Sequence, residues 1–145
     1  MSAREAALSY ARRGWSVIPI KPGQKIPQFE WKEFQSRIAT EAEINKWFDD
    51  VPDSNIAVVT GKISGITVVD VDGPDGLRAL DKAGVVLPPT PTVYTPHGIH
   101  FYYSYQEIPK QSAGILDHVD IRNDGGYVVA PPSVIGDGKG YVDGD

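Results

Sequence analysis

The sequence contains no cysteine in its 145 residues. That excludes disulfides and thiolate metal sites, and it agrees with a reducing cytoplasm. No apolar run approaches the ~20 residues that a membrane span needs. The opening Met1-Ser2-Ala3-Arg4-Glu5 has none of the apolar core of a signal peptide. Positive charge is also short: 14 Lys and Arg stand against 19 Asp and Glu, a formal net charge of −5. Composition therefore supplies no general electrostatic attraction for nucleic acid. The imbalance lies in the later part, because residues 1–50 hold eight of the basic and seven of the acidic residues. Acid neutralised by a bound metal would repel phosphates less than formal charge suggests. There is no internal repeat and no low-complexity tract. Gly61-Lys62 lacks the glycine-rich loop of a Walker motif, and neither a serine elbow nor a His-Glu-x-x-His helix is present.

What is present suits one domain with a real core: 41% hydrophobic and 10% aromatic residues. The central stretch is Gly65-Ile66-Thr67-Val68-Val69-Asp70-Val71-Asp72-Gly73. Its β-branched run predicts a buried strand. Alternation puts Asp70 and Asp72 on one face, about 7 Å apart along the chain. Two such carboxylates repel each other and lose solvation, costs that a hard divalent cation relieves. A strand ending in a polar Asp-Gly turn is the plain alternative.

Around this stretch the pattern predicts a helix over 3–13 with Ser2 as its cap and Gly14 as its stop. A strand follows over 15–20. The loop Lys21-Pro22-Gly23-Gln24-Lys25-Ile26-Pro27 is either solvated or a place where Lys25 meets a phosphate or template. Trp31 to Phe34 forms a helical turn. Thr40 and Glu43 make a capping box that opens a helix to Phe48, with Ile44, Trp47 and Phe48 turned to the core. A strand over 56–60 and the short connection Gly61 to Gly65 suggest an antiparallel neighbour for the central strand. A helix over 75–83 turns Leu77 and Leu80 inward. Strands are expected over 92–95, 99–105, 118–122 and 127–130, with a loop of undefined form from Glu107 to Leu116. The turn Asn123-Asp124-Gly125-Gly126 separates the last two strands. Tyr141-Val142 begins another strand three residues before the end, as expected of a single domain, 1–145, within a longer protein. The order helix, strand, helix, then strands with one helix inserted implies an α+β fold with a mainly antiparallel sheet.

Polar side chains on strands built for burial need partners. His100 alone suits a satisfied core histidine, and Asp120 beside Arg122 suits a same-face ion pair. Together with Asp70 and Asp72 they form an inventory suited to phosphoryl or nucleotidyl transfer. Carboxylates would hold metals, and a histidine and a forked arginine would bind phosphates.

Three segments carry a resemblance: Val68-Val69-Asp70-Val71-Asp72, then Thr95-Pro96-His97-Gly98-Ile99-His100-Phe101-Tyr102-Tyr103, then Val119-Asp120-Ile121-Arg122-Asn123-Asp124-Gly125-Gly126 with Tyr127-Val128-Val129-Ala130-Pro131-Pro132-Ser133. They resemble the three motifs of the bifunctional DNA primase/polymerase N-terminal (Prim-Pol) domain. That family belongs to the archaeo-eukaryotic primase superfamily and is widespread in phages and plasmids. Trp15 to Ile20, Lys25-Ile26-Pro27, Trp31-Lys32 and Asn55 to Gly61 also resemble it, so the likeness runs along nearly the whole chain. It implies a primase catalytic core: a recognition-motif-like (RRM-like) sheet, an N-terminal α/β unit, and an active site between them. It implies Asp70, Asp72 and Asp120 as metal ligands for Mg²⁺ or Mn²⁺ in a two-metal site, with His100 on the incoming nucleotide's phosphates. Arg122, Lys25 and Gly98 complete the implied nucleotide-binding set. The family often shows Ser-Gly-Gly-x-His in its second motif. Here Pro96 and His97 precede Gly98, which removes a hydroxyl contact and leaves the role of His97 open. The implied activity is template-directed primer synthesis and DNA polymerisation from nucleoside triphosphates on single-stranded DNA, in the cytoplasm of a bacterial host, often beside a helicase domain. Two alternatives stay open: a nucleotide- or single-strand-binding module without catalysis, and a metal-dependent single-strand nuclease. The His97-x-x-His100 spacing differs from the His-x-His of such nickases.

Overall fold

The computed structural model describes residues 1–108 and 116–144. The expected loop from Glu107 to Leu116 therefore lies mostly outside the described residues. Helix α1 (Ala3–Arg12) opens with a capping box. The Ser2 hydroxyl accepts from the Glu5 amide, and the Glu5 carboxylate accepts from the Ser2 amide. Gly14 follows at φ 91°, ending the helix in a conformation that costs glycine little. Strand β1 (Val17–Ile20) follows, then a 3₁₀ turn (Lys32–Gln35) and α2 (Glu41–Asp50), which opens on the Thr40–Glu43 capping box. Ile44 and Phe48 are buried as expected and Trp47 is partly so; Phe34 is buried with them.

Strands β2 (Asn55–Val59) and β3 (Ile66–Val71) lead into α3 (Gly73–Lys82). Then come β4 (Thr92–Tyr94), β5 (Ile99–Ser104), β6 (Val119–Arg122), β7 (Tyr127–Val129) and β8 (Val142–Asp143). They build two antiparallel sheets, β1-β2-β7 and β6-β3-β5-β4-β8. The fold is α+β. Counted from β3, the first four strands of the larger sheet lie in the order fourth, first, third, second, with α3 between the first and second. That is the order of a recognition-motif-like sheet.

Two local expectations are corrected. First, β2 and β3 are not sheet neighbours. β2 is filled on both edges by β1 and β7, and β3 by β5 and β6. Gly61 and Gly65, at φ 94° and 70°, turn the chain from one sheet into the other, leaving a single bridge between Gly61 and Ile66. Second, Leu77 is 45% exposed. Helix α3 starts two residues earlier than expected and turns Leu80 inward, where it meets Val71 and Val119.

The Asn123–Gly126 turn also crosses between sheets, from β6 to β7. The two crossings are fastened together. The Thr60 hydroxyl donates to the Asn123 carbonyl (2.6 Å), and the Lys62 amide donates to Asp124 (2.9 Å). Gly61 lies so close that a Cβ there would sit 2.6 Å from the Asp124 Cα. One face of the larger sheet, through Ile66, Val68, Val93 and Tyr102, joins the main core with β1, β2 and α1. The other face, through Val69, Val71 and Phe101, packs with Leu80 of α3.

Candidate active site

β3 is the middle of three strands whose register places polar residues side by side. Asp70 lies opposite His100 on β5 and opposite Asp120 on β6. Directly paired residues share a face, so all three side chains leave the sheet on the side of β1-β2-β7. They line a cavity of about 560 Å³ between the sheets. Arg122, two residues beyond Asp120, lies on the same face. Its Nη2 is 3.7 Å from Asp70 Oδ2 and 3.6 Å from Asp120 Oδ2. His100 Nε2 stands 3.4 Å from Asp70 Oδ1.

His100 is 6% exposed, and its Nδ1 has no hydrogen-bond partner among the described residues. Burial acts to raise the Asp70 pKa. The His100 imidazole bonded to it, then the charges of His100, Arg122 and Lys25, outweigh that effect and hold it below the ordinary 3.8. Asp70 therefore stays ionised at neutral pH despite its burial. Tyr141 lines the same wall, its ring centroid 6.1 Å from that of His100. Burial, then the charge of Asp70, pushes its hydroxyl up to about 12, so it is a neutral phenol.

Asp72 also lines the cavity, but not as a strand residue. β3 ends at Val71, and Asp72 is the residue before the first turn of α3, its side chain 64% exposed. The alternation expected to aim Asp72 alongside Asp70 stops one residue short. Asp72 instead meets His118, at 3.9 Å between Oδ2 and Nδ1. His118 precedes β6 at φ 61° and donates no alternation either; its carbonyl accepts from the Asp72 amide at 2.7 Å. His97 lines the cavity from the turn before β5, and Lys25 lines it from the loop after β1. The Tyr127 hydroxyl holds that loop by donating to the Lys25 carbonyl (2.9 Å). Gly98 is not on the cavity wall. A Cβ there would lie 1.9 Å from the Val71 carbonyl oxygen, so its bare backbone is needed where β5 begins against the end of β3.

Sequence reasoning missed Trp31, Tyr127, Tyr141 and His118 as cavity residues. A strand expected over 118–122 would have put His118 on the face of Asp120 and Arg122, but His118 lines the cavity from the turn before β6 instead. For the aromatics there was no signal, since a half-buried ring reads as core. The donor set of Asp70, Asp72 and Asp120 is all oxygen and suits a hard divalent cation. Among the described residues, no three acidic or imidazole side chains converge closely enough to grip one ion. Arg122, between Asp70 and Asp120, is the counter-charge that organises the site as it stands.

These features define a class: an α+β protein with a cleft of carboxylate, imidazole and guanidinium groups on a recognition-motif-like sheet. The chain belongs to the family of bifunctional DNA primase/polymerase N-terminal domains, which it matches over residues 7–142. Membership carries a primase/polymerase-type nucleotidyl-transfer role at the level of the family, with DNA and nucleotides as its substrates. No curated protein matches the chain. No helix among the described residues is long and apolar enough to cross a membrane.

Proposed function

We propose that the chain catalyses metal-dependent, template-directed nucleotidyl transfer, making and extending primers on single-stranded DNA. The observation that carries this reading is the row Asp120–Asp70–His100, in register across three strands and facing one cavity. Asp70, Asp72 and Asp120 would hold Mg²⁺ or Mn²⁺. When bound, the ions supply charge stabilisation for the attacking and leaving oxygens. His100, Arg122 and Lys25 bind the triphosphate, Arg122 exchanging its present carboxylate partners for phosphate oxygens. The primer 3′-hydroxyl oxygen attacks the α-phosphorus and loses its proton to water. A new phosphorus–oxygen bond forms, the α–β bridge breaks, and pyrophosphate leaves with the bonding pair.

The test is primer synthesis and extension with labelled nucleotides. Asp70→Ala/Asp72→Ala should cut product about a thousandfold, the worth of several kcal/mol of charge stabilisation. Equal product from the folded double variant would remove those carboxylates from the reaction. A second reading, nucleotide binding without turnover, is favoured by the contacts of Arg122 to both Asp70 and Asp120. Nucleotide affinity in a wild-type protein that makes no product would support it.

A further inference from the structure

The cavity has two chemically different walls. The charged groups Asp70, His100, Asp120 and Arg122 all come from the larger sheet. The opposite side is contributed by the smaller sheet, the loop that carries Lys25 and the segment leading to the 3₁₀ turn, and there two aromatic rings, Trp31 and Tyr127, line the cavity with Lys25 beside them. Their rings meet edge to face, with centroids 5.2 Å apart and planes at 79°. This contact fixes the rings against each other and leaves aromatic surface facing the cavity. Both rings are only half-buried, whereas Phe34 on the same 3₁₀ turn is fully inside. The core therefore does not use all of Trp31.

We infer that Trp31 and Tyr127 form a nucleobase-stacking wall, so that a nucleotide lies across the cavity with its phosphates on the charged wall and its base against these rings. This inference rests on the proposed function. A nucleotide has one polyanionic end and one flat, weakly polar end; with the divalent cation of the proposed function on the carboxylates, the charged wall would take the first and the rings the second. The aromatic wall offers little to tell one base from another. The Tyr127 hydroxyl is already committed to the Lys25 carbonyl, and Val128 and Val129 beside it are apolar. Stacking depends on a π-face that every base has. The wall thus accepts all four bases and leaves the choice among them to a template.

The test is equilibrium titration of the full chain with each deoxynucleoside triphosphate, and separately with inorganic tripolyphosphate, which has phosphates and no base. In Trp31→Leu, affinity for all four nucleotides should fall about tenfold, while tripolyphosphate binds as in the wild type. Trp31→Phe, which keeps an aromatic face and guards against a folding defect, should retain most of the nucleotide affinity. Nucleotides should quench tryptophan emission in the wild type, and Trp31→Phe should lose that quenching. Unchanged nucleotide affinity in folded Trp31→Leu overturns the inference, as does an equal loss for tripolyphosphate. A wild type that binds neither probe overturns the proposed function as well, which separates that failure from a failure of the stacking wall alone.

Discussion

Asp70 illustrates how one residue's chemistry is set by its neighbours on adjacent strands. A carboxylate on a strand of Ile, Thr and Val would ordinarily take up a proton when buried. His100 and Arg122 hold it ionised instead. His118 shows the opposite economy. Its backbone sits in the left-handed region at φ 61°, which side chains other than glycine adopt at a cost. It lies where the chain must turn into β6 while its carbonyl caps the Asp72 amide. His118→Gly should match or exceed the wild type in stability, and β-branched His118→Val should lose about 1–2 kcal/mol. Denaturant unfolding of the three proteins ranks them; a valine variant as stable as wild type would contradict the strain at this position. At this scale Asp70, His100 and Asp120 were legible, because polar residues on apolar strands stand out. Asp72 was only half legible: its presence in the cavity was foreseen, but not that the strand would end one residue before it.

At the scale of the element, the helices follow local rules closely. Both capping boxes form where Ser2 with Glu5, and Thr40 with Glu43, stand three apart. Glu43 does more than cap. Both its oxygens accept from the Arg37 guanidinium at 2.7 Å. Arg37 first, then the Thr40 amide, lowers its pKa from 4.5 to about 2. A lowered carboxyl pKa means that the folded protein binds the proton less readily than the unfolded chain. The stabilisation is therefore present above 4.5 and is lost as pH falls from there towards about 2. Because the pair is exposed to solvent, screening keeps its contribution small. Thermal melting should show the wild type ahead of Glu43→Gln at neutral pH, with the gap closing across that acid window. A gap that stayed constant would mean that the ion pair contributes nothing. The strands were legible as elements too, since β-branched alternation is a local signal. Their partners were not. β2 and β3 follow each other across six residues and look like a hairpin, yet each has both edges filled by strands far along the chain.

For the whole molecule, the separation into two sheets creates the cavity. The chain crosses between them at Gly61–Gly65, at Asn123–Gly126 and a third time between β7 and β8, and the Thr60, Lys62 and Asp124 contacts pin the first two crossings together. A nucleotide that touches both walls would bridge the sheets and be bound only by the folded state. At a nucleotide concentration 100 times Kd, the melting temperature should rise by roughly 5–10 °C. Differential scanning fluorimetry measures it, and no shift at saturating nucleotide would mean that the cavity is not the binding site.

The sequence by itself determined the helices with their caps, the α+β class, the apolar strands, and the polar residues that do not belong on such strands. These depend on contacts a few residues apart, or on the chemical mismatch between a residue and its own neighbours. The tertiary structure alone decided that Asp70, His100 and Asp120 stand in one row. It also decided that Asp72 pairs with His118, and that Trp31 and Tyr127 face the charged wall. Those outcomes turn on strand register and on which sheet each strand joins. Register is set by long-range pairing, and a shift of one residue in β3, β5 or β6 would have turned Asp70, His100 or Asp120 to the other face.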